Sequence, residues 1–136
     1  MSEPEFAELF RKASAEATGG RAYLPGEMVD QWNDVVGLIE DGYGDSLDEY
    51  VSDLGIRRSI EATLDSDLLT GRTELTWIRE HVAAVDERLR GLLQGEPLPR
   101  SDGLPWWQRF PPRYAGPELA ADYLSSYGVR VDVHEN

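Results

Sequence analysis

The sequence predicts an all-α domain of about five helices, bundle-like, with a long Pro/aromatic loop before the last helix and a short C-terminal strand. Three observations carry that reading. Apolar residues recur at steps of three and four along most of the chain, the period of a helix with one buried face. Capping residues and glycines punctuate these stretches where helices would start and stop. Strict apolar–polar alternation, the mark of a half-buried strand, occurs once, at residues 129–133.

Taken in order, Ser2-x-x-Glu5 forms a capping box, and Phe6, Leu9, Phe10 and Ala13 follow at helical spacing. This first helix is expected to run to about Thr18 and stop at Gly19-Gly20. Pro25-Gly26 opens a second helix, with Met28, Trp32, Val35, Val36 and Ile39 in one stripe and Gly42-Tyr43-Gly44 at its end. Ser46-x-x-Glu49 is another capping box, with Leu47, Tyr50, Val51 and Leu54 on one face. Gly55 is expected to break or bend this third helix, since glycine costs about 1 kcal/mol relative to alanine in a helix interior. Ile56, Ile60 and Leu64 then resume the pattern.

The fourth helix has the clearest signal. From Thr73, residues Leu75, Ile78, Val82, Val85, Leu89 and Leu92 recur at alternating steps of three and four, a heptad-like seam suited to near-antiparallel packing. Gly95 closes it. A last helix is expected from Pro117 through Leu119, Ala120, Tyr123 and Leu124 to Gly128. The strand after it has no convincing partner in the sequence; Ala22-Tyr23-Leu24 is the nearest match.

A chain of 136 residues suits one globular domain, and one of this size can bury roughly two-thirds of its unfolded surface without a staple. With no cysteine there are no disulfides, thiolate metal sites or cysteine nucleophiles, which fits a cytoplasmic setting. Apolar stretches fall far short of the ~18 residues of a membrane helix. The acidic start Met1-Ser2-Glu3-Pro4-Glu5 lacks the basic region of a signal peptide.

Charge says more than composition. The net charge is −13, from 26 acidic and 13 basic residues. Such a polyanion repels nucleic acid and anionic lipid, because phosphate binding requires Lys and Arg to displace counterions. Residues 22–56 hold nine carboxylates (Glu27, Asp30, Asp34, Glu40, Asp41, Asp45, Asp48, Glu49, Asp53) and no Lys or Arg. One reading of this window is a solvated face that confers solubility. The other is a docking surface whose field speeds encounter with a basic partner.

The segment between residues 95 and 117 contains five prolines with Trp106, Trp107, Phe110 and Tyr114. Long loops inside compact domains are uncommon, and four large aromatics argue against disorder. Either the rings cover the core as a lid, or they form an exposed anchor flanked by Arg109 and Arg113, residue types enriched at interface hot spots.

Catalytic equipment is sparse. The two histidines are His81, at the edge of the fourth helix's seam, and His134, near the chain end where residues fray. There is no Gly-x-Ser-x-Gly elbow, phosphate-cradling glycine loop or His-Glu-x-x-His helix. Carboxylates are the exception. Glu40, Asp41, Asp45, Asp48, Glu49 and Asp53 cluster around the turn into the third helix, and oxygen clusters can hold Mg²⁺ or Ca²⁺. A calcium-loop alignment from Asp41 fails, with Ser46 where glycine is needed and Ser52 where a bidentate glutamate belongs.

The run Gly42-Tyr43-Gly44-Asp45-Ser46-Leu47-Asp48-Glu49-Tyr50-Val51-Ser52-Asp53-Leu54-Gly55-Ile56-Arg57 resembles a pattern in small uncharacterised bacterial proteins. Those proteins carry Gly-Tyr, then Ser or Thr, an acidic residue and Tyr, then Asp-Leu and Arg. The stretch from Pro105 to Pro111, Pro-Trp-Trp-x-Arg-x-Pro, is similar to theirs as well. The resemblance implies a helical fold and nothing catalytic. In size, acidity and lack of catalytic groups the chain is also similar in character to immunity proteins of bacterial toxin systems.

The expectation is therefore a non-enzymatic acidic binding protein, an immunity-type inhibitor covering a basic protein partner such as a toxin. It would use no cofactor and would contact neither nucleic acid nor membrane directly. The candidate partner-binding residues are Asp41, Asp45, Asp48, Glu49, Asp53, Trp106, Trp107 and Arg109. The alternatives are a carboxylate-based metal-binding protein or enzyme built on residues 40–53, and a nucleic-acid mimic.

Overall fold

A computed structural model describes residues 3–134, with side chains from Glu5 onward. Among the described residues there are six helices: α1 Glu3–Thr18, α2 Pro25–Glu40, α3 Leu47–Leu64, α4 Glu74–Arg90, α5 Trp106–Arg109 and α6 Pro117–Tyr127. A 3-10 turn spans Asp67–Leu69, and two short strands, β1 Tyr114–Ala115 and β2 Asp132–Val133, complete the set. The mostly helical architecture matches the expectation. Ser2, the predicted cap of the first helix, lies outside the described residues. No helix among those described is long and apolar enough to cross a membrane.

The chain forms two compact units, each discontinuous in sequence: Met1–Asn33 with Gly55–Val85, and Asp34–Leu54 with Asp86–Asn136. In the first, α1 packs against the Asp67–Leu69 turn. Phe6, Phe10 and Ala13 from α1, Met28 and Trp32 from α2, Ile56, Ile60 and Leu64 from α3, and Ile78, Val82 and Val85 from α4 are buried. Each large apolar side chain withdrawn from water contributes roughly 1.5–3 kcal/mol. Ser14, fully buried, joins α1 to the connection after it: its Oγ accepts from the Tyr23 N–H at 2.7 Å and donates to the Arg11 carbonyl at 2.9 Å. Ala22-Tyr23-Leu24 is therefore not a strand. Its backbone is held by Ser14, and by Glu27, whose Oε1 accepts from the Leu24 N–H at 2.7 Å.

In the second unit β1 and β2 pair in parallel, Tyr114 opposite Asp132 and Ala115 opposite Val133. The partner of the C-terminal strand is thus the end of the Pro/aromatic segment. Val35, Val36, Ile39, Tyr43, Tyr50, Leu54, Leu89, Leu93, Trp107, Leu119 and Tyr123 are buried here.

Two helices depart from expectation. α3 runs unbroken through Gly55. Its first half buries Tyr50 and Leu54, one turn apart, whereas Ile56, Ile60 and Leu64 bury a stripe whose centre lies about 100° away round the helix, at ~100° per residue. The helix accommodates the change of pattern by changing its buried face, and burial on both sides of Gly55 outweighs that residue's intrinsic cost. α4 ends at Arg90, short of Gly95. Beyond Gly91 the backbone turns away to pair with the proline segment, Leu93 bridging Pro112 and the Gln94 N–H donating to the Pro111 carbonyl at 2.8 Å. Leu93 takes the buried place that the heptad assigns to Leu92.

Candidate partner-binding surface

The acidic stretch at residues 40–53 is built around a tight exit from α2. Gly42 adopts φ +89°, and a Cβ there would meet the His134 ring at 2.9 Å. The next residue, Tyr43, turns inward and is buried. Its carbonyl accepts the Gly116 N–H at 2.9 Å, and a Cβ on Gly116 would stand 2.9 Å from that same oxygen. The Tyr114 hydroxyl donates to the Glu40 carbonyl at 2.7 Å. Contact with residues 114–116 and 134 thus fixes the Gly-Tyr-Gly exit.

Carboxylates also organise the start of α3. Asp45 Oδ1 accepts from the Ser46 N–H at 2.7 Å, and Ser46 Oγ accepts from the Glu49 N–H at 3.2 Å, the capping bond expected from Ser46-x-x-Glu49. The Leu47 N–H donates to Asp122 Oδ2 at 2.9 Å, a cap supplied from α6. Unsatisfied N–H groups and the positive end of the helix dipole stabilise anions here. That is how several like charges persist within one turn.

The eight predicted residues divide clearly. Asp41, Asp45, Asp48 and Glu49 are exposed, and the last three form no ion pair among the described residues. Asp53 is half-buried, and its Oδ2 accepts the Tyr43 hydroxyl at 2.6 Å. Its place is structural as much as superficial. Trp107 is 4% exposed and belongs to the core, so it cannot serve as a surface anchor. Trp106 is half-buried, with the Arg90 guanidinium 4.1 Å over its ring. Arg109 pairs with Asp102 at 3.1 Å, its Nε buried without a hydrogen bond among the described residues. The ion pairs of Arg90 and Arg109 go to Glu87 and Asp102 rather than to the acidic turn. Within that turn Glu40 pairs with Arg88.

A tyrosine stack, unforeseen from sequence, lies under the acidic turn. The Tyr43 and Tyr50 rings meet edge to face at 5.0 Å, and Tyr50 meets Tyr123 the same way at 6.2 Å. Burial holds the Tyr43 phenol well above its ordinary range, reinforced by the hydrogen bond to Asp53 and the charges of Asp53, Asp45 and Glu49. Burial alone raises Tyr50, whose hydroxyl has no partner among the described residues. Tyr123 is raised by burial and then by Tyr50 and Tyr127. Sequence spacing marked Tyr50 and Tyr123 as apolar-face residues; nothing local could reveal that they touch.

Family models, curated proteins and solved structures were compared, and none matches this chain. What the surface can do follows from its own chemistry. Among the described residues no three Asp, Glu or His side chains converge as metal ligands would, so the carboxylates at 40–53 are spread rather than focused. His81 is exposed against Trp77, and His134 packs on Tyr114, with its N–H donating to the Ala115 carbonyl at 2.7 Å. The predicted fraying at His134 is corrected by that strand bond. The surface presents dispersed, solvated negative charge on an ordered helix start.

Proposed function

We propose that this chain is a non-enzymatic acidic binding protein, an immunity-type inhibitor that covers a basic protein partner such as a toxin. The observation that carries the reading is the set Asp45, Asp48 and Glu49: exposed, without ion pairs among the described residues, and placed just before and on the capped first turn of α3. Surface carboxylates that only confer solubility need no fixed frame, whereas steering and register require charges at defined positions. Trp106 and Arg109 offer a second contact region on the aromatic segment, with Trp107 as the buried support beneath it. The spread of the carboxylates disfavours the metal-binding alternative.

The test is co-expression of the tagged chain with its neighbouring reading frames, in parallel with the triple variant Asp45→Lys, Asp48→Lys, Glu49→Lys. Capture of a basic protein by the parent and its loss by the variant supports the reading. Equal capture by both, or capture of an acidic protein, contradicts it. Asp53 is spared because its loss would strand the Tyr43 hydroxyl.

A further inference from the structure

The first unit contains a groove of about 400 Å³, lined by Phe6, Ala7, Leu24, Pro25, Glu74 and Trp77 among others. Its volume falls in the range of ligand pockets, roughly 300–1,000 Å³. Two features set it apart from an ordinary surface dent. Trp77 is 51% exposed and Leu24 39%, so two of its walls present large apolar surface to solvent. The only charged residue lining it, among those described, is Glu74, which opens α4 one turn before Trp77.

An aromatic face beside a carboxylate, in apolar walls, is the chemistry that receives a cation on an aliphatic stem. The indole quadrupole attracts the cation, and tryptophan is the strongest of the aromatic residues for this. Glu74 adds direct attraction, and the walls accept the methylene stem that Arg and Lys bury along apolar surface. The unit that holds the groove, residues 1–33 and 55–85, is itself net acidic, with eleven carboxylates against seven Lys and Arg. We infer that this groove binds an arginine or lysine side chain of a basic protein segment, seated on Trp77 with its charge at Glu74. The inference rests on the proposed basic partner, and adds an anchoring pocket to a reading otherwise made through charge alone.

The groove can be tested without that partner. The probes are the dipeptides acetyl-Phe-Arg-amide and acetyl-Phe-citrulline-amide, which match in shape and differ in charge. Binding is followed by Trp77 indole N–H and backbone amide shifts in the intact chain. The arginine peptide should shift Trp77, Glu74 and Leu24 resonances and bind at least about threefold more tightly than the citrulline peptide. Glu74→Gln should erase most of that difference, and Trp77→Leu should weaken the arginine peptide at least as much. Both positions are on the surface of α4, and an unchanged melting temperature will show that each variant folds. Equal affinity for the two peptides would make the groove a neutral apolar site and overturn the inference. So would concentration-dependent shifts at Trp77 without peptide, which would assign it to a second copy of the chain. If the groove takes arginine while the triple reversal at Asp45, Asp48 and Glu49 leaves partner capture intact, the pocket stands and the acidic-surface reading falls. The opposite pair of results removes the pocket alone.

Discussion

Tyr50 is the residue with most to say about stability. Its ring is wholly buried between Tyr43 and Tyr123, yet its hydroxyl has no hydrogen bond among the described residues. An unsatisfied buried hydroxyl carries a desolvation cost of about 1–3 kcal/mol. Tyr50→Phe should therefore leave the melting temperature unchanged or raise it. Tyr43→Phe should do the reverse, because it strips Asp53 of a charge-assisted bond worth about 1.5–3 kcal/mol. The same residues predict an alkaline limit. Their folded pKa values lie above the ordinary tyrosine value near 10, so the unfolded chain loses these protons first. Stability from this source is full below about pH 10 and declines as pH rises beyond it. Urea melts between pH 8 and about 11 should show that decline, and Tyr50→Phe should reduce it.

Tryptophan contrasts at the same scale. Trp107→Ala should cost about 3–5 kcal/mol, as for other buried aromatics. Trp106→Ala should cost far less, since that ring is half in solvent under Arg90. Single-tryptophan variants should show Trp107 shielded from acrylamide and Trp106 accessible. The sequence placed both rings in one motif and left lid and anchor undecided. Only the backbone of α5 separates them, by turning adjacent side chains to opposite environments.

Among the elements, α1, α2 and α6 follow their sequence signals closely, because their caps, glycines and apolar stripes agree with one another. α3 shows where such signals mislead. Gly55 reads as a breaker, but the break in periodicity marks a change of buried face along a continuous helix. A Cβ at Gly55 or Gly37 meets nothing within 4 Å, and neither residue has a positive φ. Gly55→Ala and Gly37→Ala should each stabilise the chain by about 0.4–1 kcal/mol, read as a higher urea midpoint with unchanged slope. Gly116→Ala should destabilise, because its Cβ would press on the Tyr43 backbone rather than on a movable side chain.

The strand pairing and the second cap of α3, supplied by Asp122, were illegible for a different reason. Asp122 caps α3 from 75 residues away, and β2 finds its partner in the aromatic segment. No local pattern encodes such distant pairs. Asp122→Ala should cost about 0.5–2 kcal/mol, in line with lost N-caps elsewhere, and its effect should appear as faster amide exchange in the first turn of α3. The fourth-helix seam makes a sharper demand. Val85 is buried, so Val85→Asp places an unpaired charge in the interior and should abolish cooperative melting.

For the whole molecule the decisive property is the imbalance of charge. The five acidic candidates differ in their surroundings: Asp41, Asp45, Asp48 and Glu49 face solvent, while Asp53 is bound to Tyr43. The difference depends on which side chain reaches which phenol or amide, and a charge count cannot see that. If Asp45, Asp48 and Glu49 steer a basic partner, association must be screened over a Debye length of about 8 Å at physiological salt. Dissociation, governed by close packing, should respond less. The most direct measurement is the stopped-flow association rate of the captured partner, from about 20 to 500 mM NaCl, for the parent chain and for Asp45→Lys/Asp48→Lys/Glu49→Lys. Reversal of Glu5 and Glu8, exposed residues of α1, serves as the control. The acidic-surface reading predicts a rate that falls at least tenfold across that range for the parent and the control, and a slow, nearly salt-independent rate for the triple variant. A rate indifferent to both salt and the triple reversal would contradict it.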